Sequence, residues 1–357
     1  MSATRTWRQK LSFGNIGAVY VWILIIVIFS IAVPEHFLTG FTPRNIVNNY
    51  TISGLAALAV LIPMASGAFD ASIGGNMSLS GVICAYLLLH TALPVGVVVL
   101  ITLGAGLAIG LFNVLVVVVL GISSLIGTLA TWLIADALSV AIADNETLSG
   151  PRVSGSFAHW FSGANLSGFA IPFLYMVVIA AILWLLLART ITGRYIYAVG
   201  FNANVARLAG IRVKGIQTGA LLCSGLIGAL AGIVLTAHVA SATPAVGDSY
   251  LLPAFAAVFV GATQFRAKRF NVPGTIIAAF MLGTGEYGLL VAGAPQWTPD
   301  VFQGLALIAA IGLTHLYDPN RAGSRTSAKQ SPDQAPVVGH DSELASAERH
   351  ILTPVSE

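Results

Sequence analysis

The stretch GRYIYAVGFNANVARLAGIRVKG, residues 193–215, interrupts two of the most apolar runs of the chain. With the residues just before it, segment 189–214 carries Arg189, Arg194, Arg207, Arg212 and Lys214 and no acidic residue. Lys and Arg collect on the cytoplasmic side of membrane proteins, so this segment is predicted to face the cytoplasm. Around it, 56% of the 357 residues are hydrophobic and only 9% are charged, which points to an integral membrane protein rather than a soluble core.

Backbone in hydrocarbon must satisfy its own hydrogen bonds, so long apolar runs are read as helices. The expected fold is all-α and polytopic, with about ten transmembrane helices at roughly 16–33, 51–69, 73–92, 94–120, 121–143, 169–188, 215–238, 249–263, 272–292 and 299–316. With both termini cytoplasmic, every Lys and Arg except Arg44 and Arg152 falls inside. The expected organisation is a cytoplasmic N-terminal segment 1–15, a membrane domain 16–316 with a cytoplasmic loop 189–214, and a cytoplasmic tail 317–357. The tail is polar, without a periodic apolar face, and is expected to be disordered. Segment 144–168 reads as an outside loop or short surface element.

Within the basic loop, Asn202 is a plausible N-cap, Ala203–Ala209 a short helix, and Gly210 its stop. Val205 and Leu208 then share a face. A plain solvated loop obeying the charge rule explains the same composition. Inside the spans, Gly104, Gly106 and Gly110, and then Gly225, Gly228 and Gly232, suit close helix packing. Polar groups there say more. Asn113, Thr128, Asp136 and Glu286 sit at membrane depth, where an ionisable group faces a cavity or a partner, and no Lys or Arg lies within the spans to neutralise the acids. Asp136 and Glu286 are therefore candidates for a hydrophilic path, while Asp70 could simply mark the end of the second span.

Other motifs carry little. Gly283–Gly288 fits GxGxxG but lies in an apolar run with no strand before it, so no dinucleotide site is expected. No GxxxxGK[ST] occurs, and the scattered His residues have no metal-ligand spacing. Cys84 and Cys223 imply neither a disulfide framework nor a metal site. No nucleophile stands beside a base, no cofactor is expected on this chain, and no nucleic-acid partner is indicated.

Gly193-Arg194-Tyr195-Ile196-Tyr197-Ala198-Val199-Gly200, Asn202, and Ala206-Arg207-Leu208-Ala209-Gly210-Ile211 resemble the signature of ribose-type permease subunits of ATP-binding-cassette importers. The resemblance continues through Ser224–Ile233, Pro244, Gly247, Tyr250 and Gly274-Thr275. Gly67, Asp70, Ser72 and Gly74 echo the family's GxDLSxG element, and Gly110–Asn113 and Thr128-Leu129 add weaker matches. Together they cover about residues 40–316.

What the resemblance implies is a subunit that pairs with a second permease copy or a homologue in the bacterial inner membrane. Two cytoplasmic ATPases, which hold ATP and Mg, dock beneath, and an extracytoplasmic binding protein delivers a monosaccharide or small polyol. Asn202–Gly210 would be the helix that couples to the ATPase, with Gly193, Arg194, Tyr195, Ala206, Arg207 and Ile211 around it. Asp70, Asn113, Thr128, Asp136, Tyr250 and Glu286 become candidates for the translocation path.

The chain also departs from the family's pattern. Leu251 and Pro253 stand where the family has Glu-x-Asp, Asp136 replaces an Arg and Glu286 an Asn. The basic run Arg266–Arg269 replaces a glycine-rich turn, which suggests altered ATPase docking or contact with anionic lipid. An ion- or proton-coupled secondary transporter using Asp136 and Glu286 is the main alternative, and a membrane-embedded enzyme a more distant one.

Overall fold

The computed structural model describes residues 13–163, 165–166, 169–264 and 269–316. Most of the predicted N-terminal segment, Arg266 to Lys268 of the second basic loop, and the predicted tail 317–357 lie outside the described residues. The chain divides at Thr314/His315, and every contact described below lies within the first unit.

Helices dominate in this order: α1 (Phe13–Ala32), α2 (Pro34–Phe37), α3 (Thr42–Ala65), α4 (Ile73–His90), α5 (Val95–Asn113, continued as a π-helix over Val114–Val119), α6 (Ser124–Ala143), α7 (Ile171–Arg189), α8 (Ile191–Phe201), α9 (Ala203–Leu208), α10 (Val213–Val239), α11 (Asp248–Ala262), α12 (Val272–Val291) and α13 (Thr298–Leu316). Seven are long and apolar enough to cross a membrane: α3, α4, α5 with its extension, α6, α7, α10 and α12. The described parts of α1 (Gly17–Ala32) and α11 are shorter apolar helices.

Two differences from the sequence reading have physical causes. Helix α3 begins at Thr42, not near 51, with a Pro in its first turn where the missing N–H costs nothing. Its polar lead lowers the local hydropathy, but the amides are used by neighbours: Asn45 Nδ2 donates to Tyr287 Oη, Ala170 N to Asn48 Oδ1, and Asn49 Oδ1 meets His238 Nε2. Likewise 191–201 is helix rather than loop. Thr190 holds an extended backbone and its Oγ1 accepts from Gly193 N, so a cap placed immediately after α7 starts a new helix.

The core is organised by α3 and α10. Leu55 to Leu61 of α3 are fully buried, and α10 packs against α3, α4 and α5. Small residues permit that approach. Gly225 meets Gly106 and Gly110 of α5, while Gly228 and Gly232 meet Asn76 and Met77 of α4. Among the described residues, nothing lies within 4 Å of where a Cβ on Gly104 would stand, so it takes no part in their packing. Leu100, Leu111, Ile126, Leu133 and Ile182, on α5, α6 and α7, are exposed, as suits surfaces facing lipid tails.

The 144–168 segment contains β1 (Leu148–Ser149), π-helical turns and β2 (Asn165–Leu166), with β3 (Phe169–Ala170) following; β2 pairs with β3 and β1 with β4 (Ser241–Ala242). Arg152 donates to the carbonyls of Thr91 and Leu93, groups left open where α4 ends. After β4 the chain turns inward. Ala242 belongs to a cluster with Val82, Ala85 and Leu88, in the later turns of α4, whereas Gly247 lies against Gly74, Met77 and Ser78, in its first turns. Helix α11 therefore starts inside the bundle, and its 15 residues span about 22 Å, short of a roughly 30 Å hydrocarbon layer.

Candidate functional site

The basic stretch of 189–214 folds into the tandem helices α8 and α9. Gly193 closes the elbow between α7 and α8; a Cβ there would stand 2.6 Å from the Leu187 carbonyl oxygen. Arg194 and Tyr195 point outward on α8. Asn202 caps α9, its Oδ1 accepting from Asn204 N and Val205 N at 3.0 and 3.1 Å. Gly210 ends it in the left-handed region, at φ 82°. Ala206 turns inward onto Val199 and Val213, with Ile211 packed beside them. The other face is open: Arg207 is exposed, Val205 is 60% exposed and Leu208 90%. A short capped helix presenting two aliphatic side chains and an arginine has the form of a docking element.

The six path candidates fall in three places. Asp70, Asn113 and Thr128 come together with Ser72 in one buried knot. Asp70 Oδ1 accepts from Ser72 N (3.0 Å), Ser72 Oγ (2.6 Å) and Asn113 Nδ2 (3.3 Å), and Asn113 Nδ2 also donates to Ser72 Oγ. Thr128 Oγ1 accepts from Ala71 N at 2.9 Å. These bonds satisfy the non-helical backbone between α3 and α4, which is tolerated among transmembrane helices only where protein encloses it. Asp70 thus does more than mark a span end, and all three residues are fully buried. The loop also touches the tandem helices, since Gly67, at φ 79°, lies against Gly200 of α8.

Asp136 lies elsewhere. On α6 it stands beside Asp248, the first residue of α11, and one turn from Trp132, whose Nε1 donates to Asp248 Oδ1 at 2.6 Å. Ser78 of α4 completes the contact, its Oγ accepting from Gly247 N. The sequence reading passed over Asp248 because it falls at the edge of a predicted span. The recognisable signal was an acid opening a helix too short to cross, where the N-terminal dipole favours negative charge.

Tyr250 and Glu286 belong to a third group. Glu286 of α12 accepts from Gln303 Nε2 of α13 at 2.9 Å and lies within electrostatic reach of Tyr50 and Tyr250. Tyr287 stands next to Tyr50 and takes the Asn45 amide on its hydroxyl. Tyr50, Tyr287 and Gln303 were not predicted, and only the meeting of α3, α11, α12 and α13 gives them a common place. Aromatic faces beside a carboxylate and an amide can bind a polyhydroxylated solute by ring contact and hydrogen bonds. Among the described residues, no group of three or more His, Cys, Asp or Glu is placed to hold a metal ion.

Comparison with known proteins agrees with this architecture. Residues 42–311 match the family described as branched-chain amino acid transport system / permease component. The chain is 31% identical over 290 residues to the ribose import permease protein of Bacillus subtilis, covering 81% of this chain and 89% of that protein. It is 30% identical over 299 residues to the fructose import permease protein of Rhizobium meliloti, covering 82% and 83%. It is 29% identical over 315 residues to the D-allose transport system permease protein of Escherichia coli, covering 88% and 96%. No solved structure matches. A predominantly helical bundle with buried polar groups, matched over residues 42–311, belongs to the family described as branched-chain amino acid transport system / permease component, and with its sugar-permease relatives it is a membrane-embedded permease subunit of an ATP-binding-cassette importer.

Proposed function

We propose that this permease forms the inner-membrane translocation path for a monosaccharide or similar small polyol. An extracytoplasmic binding protein delivers the solute, and ATP with Mg is held by cytoplasmic ATPases docked on α9. Relatives named as ribose, fructose and D-allose permeases support the substrate class, and one named as an autoinducer 2 import permease widens it to other small polar solutes. The single observation that carries the coupling reading is the capped α9 with Leu208 almost fully exposed. A second permease subunit completes the path, and ten spans with both termini cytoplasmic place α8 and α9 on the ATPase side. That topology rests on the sorting of Lys and Arg and on nine apolar helices followed by α13. Arg269, stacked over Tyr197 and Phe201 at 5.5 and 5.8 Å, adds positive charge on the same side, suited to anionic lipid.

Co-purification and transport test this reading together. The tagged permease is expected to bring down an ATP-binding subunit and, with it, to move sugar only when ATP is supplied. Uptake driven by a proton or sodium gradient without ATP would favour the secondary-transport alternative built on Asp136 and Glu286.

The Glu286 group makes a narrower prediction. Glu286→Gln keeps the size of the side chain and removes its charge. Hydrogen bonds to a charged group contribute about 1.5–3 kcal/mol, so ATP-driven uptake in proteoliposomes should fall about tenfold or more, with subunit assembly intact. Unchanged uptake would remove Glu286 from the path.

A further inference from the structure

The buried knot around Asp70 leaves three oxygen atoms without partners: Asp70 Oδ2, Asn113 Oδ1 and Ser224 Oγ. All three residues are fully buried, and they come from three separate elements, the α3–α4 connection, α5 and α10. One of the three atoms belongs to the Asp70 carboxyl itself, and the residues carrying the other two adjoin it. The Asn113 amide donates to Asp70 Oδ1, and the Ser224 hydroxyl faces the carboxyl outside hydrogen-bonding geometry. Among the described residues, the side chains hydrogen-bonded to it, Ser72 and Asn113, are neutral.

Buried polar atoms are ordinarily paired, and a buried carboxylate needs a counter-charge. One orphaned carboxyl oxygen, with two further orphaned oxygens on the residues beside it, describes a demand for positive charge at a defined place. We propose that Asp70, Asn113 and Ser224 form a buried site for one monovalent alkali cation. Oxygen donors alone are the set preferred by hard cations, whereas softer metals take nitrogen or sulfur. One carboxylate matches one positive charge; a divalent ion would leave an excess charge in the bundle, and water would satisfy the dipoles without neutralising the acid.

The site's place gives it a consequence. The loop that carries Asp70 packs through Gly67 onto Gly200, two residues before the cap of α9. A bound cation therefore fixes the joint between the bundle and the docking helices. This role does not depend on which solute is carried.

The test reads stability rather than transport, so its outcome is separable from that of the proposed function. The full-length chain in lipid nanodiscs, with co-purifying subunits retained, is unfolded by heat in sodium chloride, potassium chloride or N-methylglucamine chloride at constant ionic strength and pH. A ligand that binds the folded state raises the midpoint in a saturable way. Sodium or potassium should do so and N-methylglucamine should not. Asp70→Asn, nearly isosteric, should lose the response. Ser224→Ala, the milder change, should raise the half-saturating cation concentration by roughly tenfold and carries the test if the Asp70 variant does not fold. The proposal is overturned by an equal response to all three salts, by no response, or by variants that respond like the parent. A midpoint that moves with pH but not with cation would place a proton on Asp70 and would also overturn it.

Discussion

Leu208→Asp is expected to give a permease that inserts and folds normally yet fails to take up solute, because its ATPase no longer docks. The side chain is 90% exposed at the end of α9, so replacing it removes no packing within the chain. An exposed leucine becomes valuable only when a partner covers it. Central apolar side chains of protein interfaces contribute about 2 kcal/mol or more, and an aspartate there adds the cost of a buried charge. Docking should weaken by at least roughly thirtyfold, read by the amount of ATPase that co-purifies and by ATP-driven uptake in vesicles. Ala206→Asp supplies the contrast. Ala206 is buried against Val199 and Val213, so that variant should lower thermal stability as well as uptake. If Leu208→Asp retained full co-purification and uptake, α9 would not be the coupling element.

Gly225→Leu is expected to be the most destructive single substitution in the bundle. A Cβ at Gly225 would stand 2.6 Å from the Gly106 carbonyl oxygen and 2.9 Å from Gly110 Cα. Both are backbone atoms of α5, so no side chain can rotate away and the two helices must separate. Separation also pulls at Asn76 Nδ2, which donates to the Gly225 carbonyl at 2.9 Å and ties α4 to the same point. Overpacking of a tight core costs about 1–3 kcal/mol, and a backbone-to-backbone contact belongs at the upper end. The expected result is a large fall in the yield of folded protein and in its thermal midpoint. Gly104→Leu is the internal control, since nothing lies within 4 Å of its added Cβ and stability should hold. Equal tolerance of both substitutions would refute the close α5–α10 packing.

The Gly225 and Gly104 pair illustrates how far sequence reading reaches. Both glycines sit in apolar segments at helical spacing, and composition treats them alike. Only the rotation of α5 against α10 shows that Gly106 and Gly110 are in the interface and Gly104 is not. The same holds for the acids. Asp70, Asp136 and Glu286 are all conspicuous in apolar surroundings, but the groups they meet come from other helices: Asn113 for the first, Asp248 for the second, Gln303 and the tyrosines for the third.

Local chemistry was fully legible where it acts over a few residues. The Asn202 cap, the Gly210 stop and the short helix between them were readable because a cap needs only a side-chain oxygen and the next two or three amides. Helix α8 escaped because its tyrosines, arginine and glycines lower its hydropathy although its capping threonine was present. The polar first turns of α3 escaped for the same reason.

By itself, the sequence determined that this chain is a helical membrane protein with a basic segment carrying a short capped helix, because hydrocarbon length, charge clustering and capping act along the chain and need no neighbours. Tertiary structure alone decided which polar residues meet, that α11 begins inside the bundle, and that a loop carrying one buried acid packs against α8. Those facts depend on the rotation and depth of one helix against another, which side-chain fit sets across long sequence separations and which no local pattern encodes.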